Sequence, residues 1–558
     1  MADTDFFQDG PRLGNQFDSD AMLRTWVKRA VPTETRRTLE PELREMGELA
    51  ATTLFDLSRQ GRGEEPQLVS FDPWGRRTDD IRVPEAWKKY ARVAAEWGLV
   101  AIPYERKEGP FARIRQAALV HLFGPSSSVY TCPLAMSDGA ATTLLTHGNR
   151  ELVERAVPRL TSRDPALAWT SGQWMTERTG GSDVGQTLTR AVKEASGWRL
   201  YGTKWFTSAT TSEMTLTLAR PEGNPGGGKG LALYYLELRD AAGAPNGMRV
   251  LRLKDKLGTR MLPTAEMELA GAWAVPVHGL SDGVRAIAPM LQITRTWNSL
   301  CAVCSMRRGV ALARDYARRR TVFGAPLSEK PLHVQTLADL EVEYQAAFLL
   351  TFRLVQLLGR VEAGEASEAE RQLVRTLQPV TKLLTAKQAV AHASEVLEAF
   401  GGAGYVEDTG LPVLLRDAQV LSIWEGTTNV LSLDLLRALT AESGLERIEE
   451  EIGRAARDAT DAALAPVRVR LDALVEGALA WFRAASAEQR EAGARTFALA
   501  IGRALQLALA AEHAHWLASG GDRRGVAVAR RLGAMSPVPD FDSTLDTEGA
   551  RSAAELDG

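Results

Sequence analysis

A chain of 558 residues with 45% apolar and 25% charged content is long enough for three or four domains and has the make-up of an ordinary soluble protein. Its formal net charge of −3 offers no overall basic field to attract nucleic acid or an anionic membrane. Cys132, Cys301 and Cys304 are too few for a disulfide framework and point to a reducing compartment. The opening MADTDFFQDG lacks a cationic stretch followed by an apolar one, and no apolar run approaches the roughly 20 residues of a membrane span. A cytoplasmic protein without a secretory signal or a membrane partner is expected.

Residues 1–165 read as a helical domain. PEAWKKYARVAAEWGLVAI (from Pro84) and GNRELVERAVPRLTS (from Gly148) carry apolar residues at helical spacing. Residues 166–283 change character and read as an antiparallel β domain. GWRLYGTKWFTSA (from Gly197) is predicted as two strands around a Tyr-Gly turn. MTLTLA (from Met214), LALYYLEL (from Leu231), MRVLRL (from Met248) and TAEMEL (from Thr264) are further strands between Gly/Pro-rich turns. Long helices return over 284–440 as a bundle, and an Ala/Leu/Arg-rich block over 441–535 reads as an additional C-terminal helical domain. Residues 536–558 are acidic and poor in large apolar side chains, so disorder is expected. The fold class is therefore α+β, mainly α.

Several motifs dissolve on inspection. GNPGGGKG (from Gly223) has the glycine and lysine spacing of a phosphate-binding loop. It lacks the hydroxyl after Lys229 and the helix that should follow, so a hairpin loop is the better reading. Cys301 and Cys304 have redox or zinc spacing, but they sit in a helical pattern with no second pair to complete a four-ligand site. His513 and His515 are alternate residues of a helix and face apart. No metal is expected. The clusters Arg318-Arg319-Arg320, Arg523-Arg524 and Arg530-Arg531 are the only hints of nucleic acid, and a solvated helix face explains them better.

SIWEGTTNV (from Ser422) poses a sharper question. Glu425 lies between Trp424 and Gly426 in an otherwise apolar, uncharged run, where a carboxylate is costly unless paired, solvated or used for proton transfer. The bland alternative is a structural pair with an arginine such as Arg295 or Arg416.

Five motifs then fall into one order: WMTERTGGSDVG (from Trp174), KWFTSA (from Lys204), RRRTVFGAPL (from Arg318), EAFGGAGYVED (from Glu398) and LLRDAQVLSIWEGTTNV (from Leu414). Together, over roughly residues 80–440, they resemble the acyl-CoA dehydrogenase family of flavoproteins. The extended N-terminus, KDKLGTR (from Lys254) and the added C-terminal helices look most like its AidB-like branch, which is associated with the bacterial response to DNA alkylation. The resemblance implies an N-terminal helical domain, a middle β domain with flavin contacts, a helical bundle carrying the base, and FAD as cofactor.

It also implies residue roles. Met175 and Thr176 would bond the polar edge of the flavin, and Ser182, beside Gly181, its pyrophosphate. Phe206 would lie against the isoalloxazine and Ser208 near N5. Arg320, Phe323, Gly401 and Gly402 would reach the FAD of a neighbouring subunit, so a homodimer or homotetramer is expected. Thr427 and Asn429 would contact FAD across the glycine turn.

Glu425 would be the catalytic base that removes the α-proton of an acyl thioester, its pKa raised by burial beside Trp424. The position matching the base of relatives that carry it on an earlier helix is Thr294, which cannot serve. The implied role is α,β-desaturation of an acyl-CoA in fatty acid metabolism, with electron-transfer flavoprotein or O2 as electron acceptor. The rivals are a flavin oxidase acting on a non-CoA substrate and an AidB-like flavoprotein that binds and protects DNA. Where short- and medium-chain enzymes carry Asp-Thr-Arg against the substrate, this chain has Pro263-Thr264-Ala265. The family positions at Val322, Lys330-Pro331 and Glu398 also differ.

Overall fold

A computed structural model describes residues 9–555 except 241, 442 and 542–546. Two compact units emerge, one formed by 42–108 with 115–297, the other by 1–41, 109–114 and 298–558.

In the first unit the predicted amphipathic segment forms the helix Glu85–Glu96, which buries Trp87, Tyr90 and Ala94 on one face. The helix Thr131–His147 is buried over most of its length, and the Ser171 N–H donates to its Ser137 hydroxyl at 3.0 Å, joining it to the first strand of the sheet. A hairpin of β1 (Gln67–Phe71) and β2 (Arg77–Arg82) interrupts what the sequence presents as helices and loops. Its strands bury only Asp79, so no alternation marks them. That carboxylate accepts the Val250 N–H at 3.0 Å, tying the hairpin to the sheet.

The main sheet holds β3 (Ser171–Trp174), β4 (Arg190–Glu194), β5 (Gly197–Ser208), β6 (Met214–Pro221), β7 (Ala232–Glu237), β8 (Met248–Leu253) and β9 (Thr264–Pro276). Its order is β3-β6-β4-β5-β9-β7, with β8 on β9 and β6 also pairing β7, so five strands close into a ring. The pairings are antiparallel except β3 with β6 and β4 with β6, which run parallel. Trp174, Leu200, Tyr234, Met267 and Leu269 belong to the core cluster of this sheet.

The Tyr201-Gly202 pair does not turn the chain. It runs straight through the twelve-residue strand β5. Gly202 is there because Thr189 crosses so closely that a Cβ would lie 2.7 Å from its Cα. The 223–230 stretch is the loop between antiparallel β6 and β7, and a short 3₁₀ turn replaces the helix a phosphate loop would need.

The second unit is helical. Asp20 caps the helix Ala21–Ala30 and also accepts from the buried Tyr344 hydroxyl (2.7 Å) and Arg307 (3.1 Å), which fixes the N-terminal extension. Ser367 and Glu370 form a capping box at the start of the helix Glu368–Ala399. The C-terminal helix Ala487–Ser519 packs against it closely enough that a Cβ on Gly502 would sit 2.8 Å from Leu384. In the acidic tail Phe541 stacks on Trp481 at 5.0 Å and Thr547–Ala553 form a short helix. Residues 542–546 and 556–558, also expected to lack order, lie outside the described residues.

Candidate active site

Six predicted cofactor residues fall on two neighbouring segments of the first unit. Met175, Thr176, Gly181 and Ser182 follow β3. Phe206 and Ser208 end β5. The Trp205 N–H donates to the Thr176 carbonyl at 2.9 Å. Beneath them Lys204, wholly buried, donates to Glu177 at 2.7 Å and to the Leu218 carbonyl at 2.8 Å. Burial works to raise the Glu177 pKa, but Lys204, the Thr189 hydroxyl and the Leu188 N–H together hold it below the usual carboxylate range. Gly181 packs so tightly that a Cβ would stand 2.6 Å from the Thr176 hydroxyl. Hydroxyls, glycine main chain and exposed Ser182 suit a polar ring edge and a phosphate.

Phe206 is 50% exposed despite lying in a strand. The Lys254 ammonium sits 4.7 Å from its ring centroid and 3.7 Å from that of Trp205, and is anchored on Glu266 at 2.7 Å. Lys256 donates to the Thr264 hydroxyl at 3.1 Å, and Thr264 lies 3.2 Å from the Ser208 hydroxyl. An ammonium only donates, so Thr264 accepts from Lys256, and either hydroxyl can donate in the bond between Thr264 and Ser208. The sequence marked neither lysine as functional, although both lie in the KDKLGTR phrase.

In the second unit Glu425, Thr427 and Asn429 form the turn entering the helix Thr428–Thr440. Thr427 caps that helix, accepting the Val430 N–H at 3.4 Å, and the Asn429 carbonyl oxygen accepts from Arg495 at 3.3 Å. Glu425 is half-buried, not fully enclosed, and adopts φ +58°, unusual for a glutamate. Its neighbour Trp424 donates its indole N–H to Asn298. Arg416, one arginine weighed as a structural partner, pairs with Glu407.

Arg320 ends the helix Ala288–Arg319 and leads into the hairpin β10 (Thr321–Val322) and β11 (Ala325–Pro326). Phe323 and Gly324 form its tip with φ +49° and +77°, and Phe323 is 97% exposed. Gly401 and Gly402 follow the helix Glu368–Ala399, and the adjoining Phe400 packs on Tyr316 at 4.6 Å. The two motifs expected to reach a neighbouring subunit therefore share one end of the helical unit. Lys382, on the same helix as Phe400's approach and about 25 Å back along it, contacts the Glu425 turn through the Trp424 carbonyl.

Cys304 is buried, which pushes its thiol pKa up. His513 is buried against Thr25 and pushed down to about 3 by that burial. Among the described residues no three His, Cys, Asp or Glu side chains gather to hold a metal, and no helix is long and apolar enough to cross a membrane. Three of the clustered C-terminal arginines are paired locally: Arg523 with Asp461, Arg524 with Asp522 and Arg531 with Asp339.

Three family descriptions match in succession: the AidB N-terminal domain of the adaptive response protein over 11–165, the acyl-CoA dehydrogenase middle domain over 172–272, and the acyl-CoA dehydrogenase C-terminal domain over 281–440. Acyl-CoA dehydrogenase family member 11 of Caenorhabditis elegans is 45% identical over 463 residues, which cover 80% of this chain and 75% of that protein. AidB of Escherichia coli is 33% identical over 411 residues, covering 71% and 73% respectively. The crystal structure of Caenorhabditis elegans ACDH-11 in complex with C11-CoA superposes with a TM-score of 0.95 at 40% identity, covering 99% of this chain and 96% of that one. With the motifs in order and the fold in place, the chain belongs to the acyl-CoA dehydrogenase family and carries that family's AidB-type N-terminal domain.

Proposed function

We propose that the protein is an FAD-dependent acyl-CoA dehydrogenase that desaturates an acyl thioester between its α- and β-carbons, with Glu425 as base. The observation that carries this reading is the Glu425 turn: a half-buried carboxylate on a left-handed backbone, at the start of a capped helix, in the motif where the family holds its base. Backbone strain of this kind persists only where surrounding structure imposes it, and it concentrates at working sites.

Glu425 takes the α-proton, and its backbone N–H polarises the thioester carbonyl as enolate character develops. When bound, FAD supplies the acceptor for the hydride leaving the β-carbon. Met175, Thr176 and Ser182 would hold its polar edge and pyrophosphate, Phe206 would brace the ring, and Thr427 and Asn429 would contact it across the glycine turn. Ser208, hydrogen-bonded to Thr264, would supply a hydroxyl near N5. The C11-CoA bound by ACDH-11 supports an acyl-CoA substrate.

Arg320, Phe323, Gly401 and Gly402 serve the cofactor of a second copy. An aromatic side chain 97% exposed on a strained two-residue turn is the kind of surface a partner subunit covers. The protein is then a homodimer or larger, and an electron-transfer flavoprotein or O2 would be the electron acceptor. The DNA-protecting alternative draws little from the C-terminal clusters, where Arg523, Arg524 and Arg531 are each matched by a carboxylate.

Anaerobic titration of purified protein with acyl-CoAs tests the reading: the yellow flavin bleaches with substrate, and protein unable to take up FAD would refute it. Gly181→Val is expected to yield folded but colourless protein, because the new side chain must displace Thr176. Absorbance after FAD reconstitution, alongside circular dichroism, checks this.

A further inference from the structure

Lys382 is fully buried in the helix Glu368–Ala399, among Thr381, Leu383 and Leu384. Its ammonium donates to the Trp424 carbonyl at 2.7 Å and to the Gly426 carbonyl at 2.7 Å. These are the peptide oxygens on either side of Glu425. For both to converge on one nitrogen, the backbone between them has to reverse, and Glu425 at φ +58° followed by Gly426 at φ +105° does so. A left-handed glutamate is strained against its ordinary conformation, and two charge-assisted hydrogen bonds outweigh that strain.

A second clamp fixes the turn from the preceding side. Asn298 accepts the Trp424 indole N–H and donates its own amide to the Leu421 carbonyl at 3.3 Å. The Glu425 backbone is thus held from both directions, and the direction of its side chain follows from that backbone.

We infer that Lys382 is a positioning residue for the base: it clamps the two carbonyls flanking Glu425 and so sets the left-handed turn that aims the carboxylate. The inference rests on the reading of Glu425 as the base. It assigns to a buried lysine a role in turnover, beyond filling the bundle.

Lys382→Gln and Lys382→Met test it, with Lys382→Arg as the conservative variant and Glu425→Gln as the companion. Assays use FAD-saturated protein well below each variant's melting temperature. Misplacing a reacting group by about 1 Å costs on the order of 100-fold, so kcat is expected to fall about 100-fold in both Gln and Met variants. KM for acyl-CoA should change less than about threefold, since the Glu425 N–H acts chiefly as enolate character develops. Arg, which can still donate to both carbonyls, should recover part of the rate. Lys382→Gln keeps a polar group in the core and serves if the Met variant fails to fold. A flavin-loaded Lys382→Gln with near-normal kcat, while Glu425→Gln is inactive, overturns the inference alone. Activity retained by Glu425→Gln overturns the reading of the base as well.

Discussion

Glu425→Gln is expected to bind FAD normally and to lose bleaching by acyl-CoA. The amide keeps the size of the glutamate and its ability to lie on the same strained turn, but it cannot accept the α-proton. Removing a positioned general base costs about 100- to 10,000-fold in rate, equivalent to roughly 3–5 kcal/mol in the barrier. Because binding of the thioester does not depend on proton transfer, substrate affinity should survive. Stopped-flow reduction of the flavin measures the first property and equilibrium binding of a CoA ester the second. A variant that reduces at the original rate would remove Glu425 from the chemistry. A variant that fails to bind FAD would point instead to a structural role for the turn.

The second large effect concerns stability. Lys204→Met leaves Glu177 buried without its cation, and breaking one partner of a buried pair costs about 3–5 kcal/mol. Adding Glu177→Gln should recover part of that loss, since the amide oxygen still accepts from Leu188 and Thr189 without carrying charge. The pH dependence has a definite sign. In the native protein Glu177 titrates below the usual glutamate range because of Lys204 and its other donors, once burial is overcome. Its contribution is therefore present above that range and lost as acid approaches the lowered folded value. In Lys204→Met the same burial acts unopposed by a cation and raises the folded pKa, so the variant gains relative stability as pH falls. The gap in melting temperature between the two proteins should narrow towards about pH 5. Since Glu177 joins the segment of Thr176 to that of Phe206, FAD affinity should fall as well.

Much of this architecture can be read from the chain itself, and the physical reasons for the exceptions are specific. The Glu85–Glu96 helix announces itself by a one-sided apolar stripe, and the β domain by short strands between Gly/Pro turns. The hairpin at 67–82 does not, because its only buried side chain is the charged Asp79 and no apolar alternation results. Tyr201-Gly202 misleads because glycine signals either a turn or a close crossing, and only the position of Thr189 decides between them. The parallel pairings of β6 with β3 and β4 join segments that are separated in sequence, so no local turn announces them.

At the site the same division holds. Glu425 stands out as an acid in an apolar run, whereas Lys382, a cation in the equally apolar QPVTKLLTA, offers the same signal but no nearby motif to interpret it. Its partners lie more than 40 residues away and are main-chain atoms, which carry no sequence signature. Ser208 and Thr264 are likewise joined by the pairing of β5 with β9.

Asp20 sets a limit on how the protein can be trimmed. Its carboxylate answers the buried Arg307 guanidinium and the Tyr344 phenol, both from the central helices. A recombinant fragment begun after residue 20 would leave that guanidinium without its counter-charge inside the bundle. The leading segment is therefore a piece of the scaffold, and a shortened version designed around the catalytic motifs alone should be insoluble or fold poorly.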